Sequence, residues 1–361
     1  MADIVLCGTG SFAARILFDL AATAPRGLSV AVVGRDAAQL AWLRTAARAR
    51  ADMFGAGVVI TDHQCPDLST ATMAPLLAAL RPRVVANTAS IQGGRNMAAR
   101  PDGWTRLAQQ AGLGISAALQ ARLSLDIAAA VATAAPQAAF VNCCYPDVVN
   151  PMIAAAGLSV ASGIGNVAIL AHAFAGQLGP GHGRIQLLAQ HAALAAFRRP
   201  ADQRGGQAPL RLWLDGQEVA DVFARFAAVK LTPAPALDIS GASGVPLFVA
   251  LALGKDWQGH VPGPNGLSGG YPVRLSGGTL RLDLPPGITE AEAIAWNTAF
   301  EAANGVVVGK DGMVRFTGRV AELLGRASPD LAAGFAMADF DAACDAFLAL
   351  RTRLREQADA N

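Results

Sequence analysis

A glycine-rich turn near the start of the chain has the residue types and spacing that bind phosphate. It follows four apolar residues and leads directly into an apolar-periodic stretch, in the pattern G-x-G-x-x-A. Gly8 permits the tight turn, and Gly10 lets the backbone approach a pyrophosphate without a Cβ in the way. The helix that follows presents free N–H groups and a partial positive charge to the phosphates. We therefore predict that a dinucleotide binds here, with contacts from Gly8, Thr9, Gly10, Ser11 and Phe12.

The end of the second predicted strand bears on which dinucleotide is bound. An acid commonly closes this strand in NAD-binding sheets, where it bonds the ribose 2′-hydroxyl. Here Gly34 takes that place and Arg35 follows it. A guanidinium pairs with a 2′-phosphate, whereas an acid repels it, so the sequence favours NADP(H) over NAD(H). Asp36 leaves two interpretations open, because it either caps the next helix or touches the ribose.

Two further turns are placed where a sheet of this kind holds its ligand. The fourth predicted strand runs into Asn87, Thr88 and Ala89, and the fifth ends just before Tyr145. Ligands lie outside the carboxyl ends of parallel strands, so we expect these residues close to the ribose and nicotinamide. The alternative for the first of these turns is an ordinary strand-to-helix connection.

The order of the predicted elements indicates an α/β fold. Strands and helices alternate up to about residue 150, and antiparallel hairpins mixed with helices follow. We predict a doubly wound parallel sheet of the Rossmann type in residues 1–155. A second, mixed α+β domain is predicted in residues 156–361, ending in an extra hairpin and helix. The Gly/Pro-rich stretch 258–270 is expected to be a loop.

Composition excludes several classes of protein. The 361 residues are 53% hydrophobic and 16% charged, with a net charge of +2, which argues against disorder and against nucleic-acid binding. The five cysteines lack disulfide or zinc spacing, and the first strand leaves no room for a signal peptide, so we expect a cytoplasmic protein without a metal site. No run predicts a membrane span. We expect a small-molecule substrate and a homodimer or homotetramer.

The middle of the chain resembles the lactate/malate dehydrogenase superfamily. Where that family has Asn-Pro-x-Asp, Gly-x-Gly-Thr and Gly-x-His-Gly, this chain has Tyr145-Pro146-Asp147, Gly163-Ile164-Gly165-Asn166 and Ala189-Gln190-His191-Ala192. The resemblance extends over roughly residues 1–303. It implies a parallel sheet that carries NAD(P) and a second domain that supplies His191 as general acid/base. The alternative is a structural histidine at the end of a core strand, with its hydrogen bonds made to neighbouring groups.

Departures from the family pattern concern the substrate. Ile169 stands at the place of the aspartate that orients the histidine, and His172 stands at the place of the arginine that clamps a substrate carboxylate. Loss of that clamp argues against a simple 2-oxo acid. His172 and Asn166 are therefore candidate contacts for a different polar group, or else polar residues bonded locally near a helix start. Arg95 and Arg122 are further candidate substrate contacts, although Arg95 can equally be a solvated loop residue.

Three functions are compatible with these residues. The first hypothesis is an NADP(H)-dependent oxidoreductase that transfers hydride between nicotinamide and a small carbonyl or hydroxyl substrate, with His191 as acid/base. The second is an imine reductase forming a secondary or cyclic amine, whose substrate nitrogen can arrive protonated. The third is a non-catalytic dinucleotide sensor that uses the C-terminal hairpin and helix as an interaction surface.

Overall fold

The computed structural model describes residues 1–92, 102–205 and 209–359. Its N-terminal part is built on a five-stranded parallel sheet with the strand order β3-β2-β1-β4-β5. The strands are β1 (Ile4–Cys7), β2 (Ser29–Gly34), β3 (Val59–Gln64), β4 (Val84–Asn87) and β5 (Ala139–Asn142). The strand order reverses at β1, which pairs with both β2 and β4. This is the doubly wound arrangement predicted from the alternation of elements.

Both faces of the parallel sheet are buried along β1, β2, β4 and β5, which explains why these strands are mostly apolar, whereas the edge strand β3 is partly exposed. Successive side chains point to opposite faces: Ile4 and Leu6 belong to one hydrophobic cluster, while Val5 and Cys7 belong to another. Helices cover both sides. They are α1 (Ser11–Thr23), α2 (Ala37–Met53), α3 (Thr70–Leu80), α4 (Gly103–Ala111), α5 (Ala117–Ala134) and α6 (Pro146–Ala155).

The second sheet is mainly antiparallel, with the path β11-β10-β6-β7-β8 and with β9 also paired to β10. Its strands are β6 (Ile185–Ala189), β7 (Leu210–Leu214), β8 (Gln217–Glu218), β9 (Trp257–Pro262), β10 (Gly270–Ser276) and β11 (Thr279–Leu282). The prediction of a loop over 258–270 was wrong for its first part, because β9 gains six cross-strand partners on β10. Such long-range pairing overrides the low strand propensity of glycine and proline.

Five helices accompany this sheet: α7 (Val167–Leu178), α8 (Ala193–Ala196), α9 (Val222–Arg225), α10 (Pro233–Leu253) and α11 (Glu290–Asn304). Helix α10 packs across α1, where an ion pair joins Arg15 to Asp238 and Gly241 permits close approach. Helix α11 begins with a capping box, in which Thr289 and Glu292 satisfy each other's backbone N–H groups. That cap sets where α11 starts, and α11 reaches the site described below.

The C-terminal segment forms a small three-stranded sheet, β12 (Val306–Val308), β13 (Met313–Phe316) and β14 (Phe335–Ala336), with helices α12 (Gly318–Ala327), α13 (Pro329–Ala332) and α14 (Phe340–Asp359). Val306, Phe316 and Phe347 share one hydrophobic cluster with Val5 and Trp104. The extension therefore packs on one face of the parallel sheet, although the sequence-based division grouped it with the second domain.

Two helical stretches are long and apolar enough to cross a membrane by length and composition: Leu113–Ala134 and Ala236–Leu253. In their most apolar windows, 61% and 50% of the residues are buried inside the protein. Buried core helices of globular proteins pass the same test, so these two helices are weak evidence for a membrane protein.

Candidate active site

A cavity of about 500 Å³ lies at the carboxyl ends of the central strands, within the size range of small-ligand pockets. Three turns form its wall, and they come from the ends of β1, β2 and β4. The lining residues are Gly8, Thr9, Gly10, Gly34, Arg35, Asp36, Leu68, Thr88, Ala89, Ser90 and Leu123. The structure thus brings the glycine-rich turn, the end of β2 and the turn after β4 together in one cavity.

The two glycines of the first turn meet different requirements. Gly8 has a φ of +116°, which favours glycine, and a Cβ at this position would lie 2.3 Å from Thr88 Oγ1. Gly10 precedes the first residue of α1, and a Cβ there would meet no atom within 4 Å. The backbone at Gly10 therefore faces open space at a helix N-terminus, where N–H groups can receive an anion.

The end of β2 is shaped by packing against the first turn. A Cβ on Gly34 would lie 2.4 Å from Thr9 Cγ2, so any larger residue at this position would require the Thr9 side chain to move. Asp36 caps α2, accepting hydrogen bonds from the backbone N–H groups of Ala38 and Gln39. Asp36 therefore caps the helix, and it also lines the cavity, so its contact to a ribose stays a prediction. Arg35 is exposed on the cavity wall.

Three predicted cofactor contacts lie beside this cavity and do not line it. Ser11 begins α1, and the partly buried Phe12 packs against the apolar cluster of that helix. Asn87 is fully buried, and its side chain accepts from the Ala89 N–H at 2.9 Å and donates to Ser124 Oγ at 3.0 Å. Asn87 therefore shapes the turn that lines the cavity.

A buried polar chain continues from this turn toward the second domain. Ser124 Oγ donates to Asn142 Oδ1 at 2.9 Å, Asn142 Nδ2 donates to Asn150 Oδ1 at 2.9 Å, and Asn150 Nδ2 donates to the Gly263 carbonyl at 2.9 Å. The chain joins the ends of β4 and β5 to α5, α6 and the loop after β9. Buried networks in which every hydrogen bond is made fix the local geometry. This network therefore fixes the position of the turn after β4 relative to α6 and the loop after β9.

His191 lies just beyond the end of β6, where the family resemblance placed it. Its side chain is 20% exposed, and its Nδ1 lies 3.6 Å from Glu301 Oε1. The imidazole meets the Tyr145 ring edge-on, with ring centroids 4.8 Å apart. Tyr145, predicted to contact the cofactor, therefore contacts the candidate acid/base. Glu301 is thus a carboxyl group that faces His191 Nδ1, where the sequence, with Ile169 in the place of the family's aspartate, offered no candidate.

Glu301 reaches His191 because α11 is docked on the end of β6. Gln190 Nε2 donates to the Asn297 carbonyl at 2.6 Å, and Asn297 Nδ2 donates to the Gly270 carbonyl at 3.1 Å. Asn297 and Glu301 are four residues apart and therefore share one face of the helix. The second carboxylate oxygen of Glu301 accepts from the Val306 N–H at 3.2 Å, which fixes the side chain from the other side.

A second buried carboxyl group, that of Asp147, lies close to His191 and Glu301. Asp147 is fully buried in the first turn of α6, and Asn166 donates a hydrogen bond to its Oδ2. Asn166 is thus the one predicted substrate contact that the structure links to this cluster, through Asp147. The backbone of Asn166 has a φ of +46° at the start of α7, a conformation that asparagine tolerates better than most residues.

Burial governs the proton affinities of this cluster. It lowers the pKa of His191 to about 4, so the imidazole is neutral at neutral pH. Burial raises the pKa of Asp147 to about 7, although the Asn166 amide and the His191 backbone N–H oppose the rise. It also raises the pKa of Glu301 to about 7, with a further contribution from the nearby Asp147 charge. Paired carboxyl groups of this kind exchange protons near neutral pH.

Removing the Glu301 carboxyl should change how stability depends on pH. The folded state holds the Glu301 proton up to about pH 7, whereas the unfolded chain releases it near pH 4.5, so ionisation opposes folding as pH rises through this window. The stability of Glu301→Gln relative to wild type should therefore rise between pH 4.5 and 8, by at most about 3 kcal/mol. Urea unfolding at several pH values measures this difference.

The matched control is Glu290→Gln, which changes an exposed residue in the first turn of the same helix. Its stability relative to wild type should stay constant over this pH range. A Glu301→Gln curve parallel to that of wild type would show that Glu301 is ionised throughout in the folded protein.

Two other predicted substrate contacts, His172 and Arg122, lie elsewhere. His172 lines a different cavity of about 280 Å³, with His182, Arg184 and His260. That cavity adjoins the start of β6, whereas His191 follows its end, and five residues of strand span about 16 Å. Arg122 forms ion pairs with Asp126 and Asp341 and lines a third cavity. Arg95 falls outside the described residues.

Two residues of the cluster, Asp147 and Glu301, received no role from the sequence. Asp147 belongs to the Tyr-Pro-Asp motif, so its place in the family pattern was a usable signal. Glu301 had no such signal, because a glutamate near the end of a helix is ordinarily solvated. Its burial depends on how α11 docks, which local sequence does not specify.

No protein-family model and no curated protein matches the chain. Solved structures match it at the level of the fold. Malate dehydrogenase from Archaeoglobus fulgidus, solved in complex with NADH, has a TM-score of 0.50 and 14% identity, with 80% of this chain and 93% of that chain covered. Malate dehydrogenase from Picrophilus torridus, in its apo form, has a TM-score of 0.50 and 12% identity, with coverages of 83% and 94%.

Lactate dehydrogenase from Cryptosporidium parvum, complexed with lactic acid and nicotinamide adenine dinucleotide, has a TM-score of 0.49 and 15% identity, with 83% of this chain and 95% of that chain covered. At such low identities, a structural match is informative about architecture alone. The strand order, the second sheet and the malate dehydrogenase matches agree on that architecture. The chain therefore has the Rossmann-type fold of the malate dehydrogenases, as the resemblance in its sequence implied.

Proposed function

We propose that this protein is an NADP(H)-dependent oxidoreductase that transfers hydride between nicotinamide and a small carbonyl or hydroxyl substrate, with His191 as acid/base. One observation carries the proposal: the glycine-rich turn, the end of β2 and the turn after β4 line one cavity at the reversal point of the parallel sheet. Dinucleotides bind at this point in doubly wound sheets. The malate dehydrogenase of Archaeoglobus fulgidus, with the same fold, was solved with NADH.

The cavity fits a dinucleotide. Gly10 leaves open space for a pyrophosphate at the N-terminus of α1, and no acidic residue lies in the first turn of that helix. Arg35 lines the cavity where a 2′-phosphate would be expected, while the Asp36 carboxylate is engaged in capping α2. These features support NADP(H), because a guanidinium forms charge-assisted hydrogen bonds to phosphate.

The paired carboxyl and imidazole can hold and move one proton. A bound nicotinamide dinucleotide supplies or accepts the hydride. Nδ1 of His191 faces Glu301, so Nε2 is the ring nitrogen available to a substrate. In the reducing direction, Nε2 gives its proton to the alkoxide oxygen while Nδ1 takes the proton of Glu301. In the oxidising direction both transfers reverse, so the imidazole starts and ends neutral.

The surroundings of His191 favour a substrate other than a 2-oxo acid. The His172 side chain lines a separate cavity, and Asp147 and Glu301 are the charged groups buried nearest to the imidazole in the described structure. Two acidic groups repel a carboxylate, and no arginine among the described residues pairs with either of them. This chemistry supports a neutral or cationic substrate.

A titration followed by an activity panel tests the proposal. NADPH and NADH are titrated into the purified protein, and NADPH oxidation is then followed with carbonyl compounds and with amine-plus-carbonyl mixtures. We expect NADPH to bind and a carbonyl compound to be reduced. Turnover only with the mixtures would favour the imine reductase, whereas tight NADPH binding without turnover would favour the sensor.

A further inference from the structure

Unpartnered hydrogen-bonding atoms are concentrated around His191. Among the described residues, Asp147 Oδ1, Glu301 Oε1 and Gln190 Oε1 are fully buried acceptors without a hydrogen-bond partner in the protein. Buried polar atoms are nearly always paired, and a cluster of exceptions needs an explanation. His191 Nδ1 is also without a hydrogen-bond partner, and it lies 3.6 Å from Glu301 Oε1. The three oxygens accept hydrogen bonds, and a group rich in donors would satisfy them.

Two of these residues line a cavity. It measures about 220 Å³ and lies between α6, the loop before β10, α11 and the β12 hairpin. Its polar lining comes from Asp147, Ser268, Thr298, Glu301 and Lys310, and apolar walls include Ile294 and Val307. The cavity is distinct from the dinucleotide cavity, with which it shares no lining residue. It is large enough for a small polar fragment and too small for a nucleotide.

The charge of the cavity indicates which kind of hydrogen-bond donor, cationic or neutral, it would bind. Asp147 and Glu301 are 0% and 2% exposed, and neither forms an ion pair with a lysine or arginine among the described residues. Lys310 lies at the rim, in the turn between β12 and β13, and is exposed to solvent. Buried carboxylates without a cation are costly, so a cationic donor stabilises this cavity more than a neutral one.

We propose that the cavity bounded by Asp147 and Glu301 binds a protonated amino group of the substrate, and therefore that the substrate of the His191 centre is an aliphatic amine-bearing compound. An ammonium group has several donors and no acceptor, which suits Asp147 Oδ1 and Glu301 Oε1, the two unpartnered oxygens of residues that line this cavity. Glu301 Oε1 lies 3.6 Å from His191 Nδ1, so the ammonium group is held where one of its own protons replaces the proton that Glu301 passes to His191. The ionised carboxylate that binds the ammonium group is then compatible with the proton transfer. This inference rests on the proposed function for its hydride-transfer step, while the binding step can be measured by itself.

Ligand-observed NMR with n-propylammonium, compared with propionate at equal ionic strength, measures the binding step. We expect wild type to bind propylammonium and to bind propionate at least about tenfold more weakly. Asp147→Asn and Glu301→Gln should each weaken propylammonium binding at least about tenfold, because each removes one partner of a buried charge pair. Glu290→Gln, in the same helix but exposed, should bind like wild type.

The pH dependence provides an independent readout. The titratable groups that line the cavity are Asp147, Glu301 and Lys310. His191 lies against Glu301, and Tyr145 lies against His191. Of these groups, the two carboxyl groups have pKa values raised to about 7. Propylammonium stays protonated up to about pH 10. Its binding should therefore tighten from pH 6 to 8 as the carboxyl groups ionise, and this dependence should be smaller in Asp147→Asn.

The outcomes separate this inference from the proposed function. Equal binding of propylammonium and propionate, or variants that bind like wild type while retaining the wild-type circular dichroism spectrum, would overturn the inference and leave the oxidoreductase proposal intact. Selective ammonium binding in a protein that oxidises NADPH with no compound tested would support the amine site and count against hydride transfer.

Discussion

Replacing His191 with alanine is expected to lower kcat by roughly 10²–10⁴-fold, the range typical of a lost general acid/base. The imidazole is held between Tyr145 and Glu301, so its loss leaves no group in contact with the substrate oxygen that can relay the Glu301 proton. The affinity for NADPH should stay within about twofold of wild type, because His191 does not line the dinucleotide cavity. Steady-state kinetics and a fluorescence titration measure the two quantities.

His182→Ala is the matched control, since His182 is exposed and lines the separate cavity at the start of β6. It should leave kcat unchanged. The double variant His191→Ala/Glu301→Gln should be little slower than His191→Ala alone, because groups that act as one unit are strongly non-additive. Unchanged turnover in His191→Ala would remove this residue from the mechanism.

Replacing Arg35 with alanine is expected to weaken NADPH binding by roughly 10–150-fold, the loss of a hydrogen-bonded charge pair worth about 1.5–3 kcal/mol. NADH lacks the 2′-phosphate, so its affinity should change by less than about threefold. Arg35 is exposed on the cavity wall, and its removal leaves the fold untouched. Calorimetric titration with each nucleotide gives the two ratios.

Arg26→Ala provides the comparison, because Arg26 is an exposed arginine in the turn before β2, at the opposite end of that strand. It should alter neither affinity. Equal weakening of NADPH and NADH by Arg35→Ala would overturn the preference for NADP(H) and would identify Arg35 as a contact to a part that both nucleotides share.

Local sequence was sufficient to predict the turns that line the cavity at the carboxyl ends of β1, β2 and β4. The glycine-rich turn, Gly34-Arg35 and Thr88-Ala89 were each found from a strand that ends in a turn, and the topology of a parallel sheet brings such ends to one edge. The structure confirms that these turns line one cavity. It also shows that Asp36 caps α2, through hydrogen bonds that the sequence allowed but did not require.

The positions of residues chosen from the family pattern were harder to predict than those of the turns at the edge of the sheet. His191 and Asn166 belong to the buried cluster, while His172, taken from the same pattern, lines another cavity. A one-dimensional count of residues along α7 gives the position of a side chain but not the direction in which it points. The rotation of the helix is determined by its packing.

The sequence by itself determined the doubly wound sheet, because alternating apolar strands and amphipathic helices are local patterns that only a few topologies can bury. Tertiary structure alone decided the cluster of His191, Glu301 and Asp147. Gln190 and Asn297, the contact that docks α11, are 107 residues apart, and that docking turns an ordinary helix glutamate into a buried partner of His191. Burial then raises the pKa values of Glu301 and Asp147, since desolvation depends on what packs around a carboxyl group and not on its neighbours in the chain.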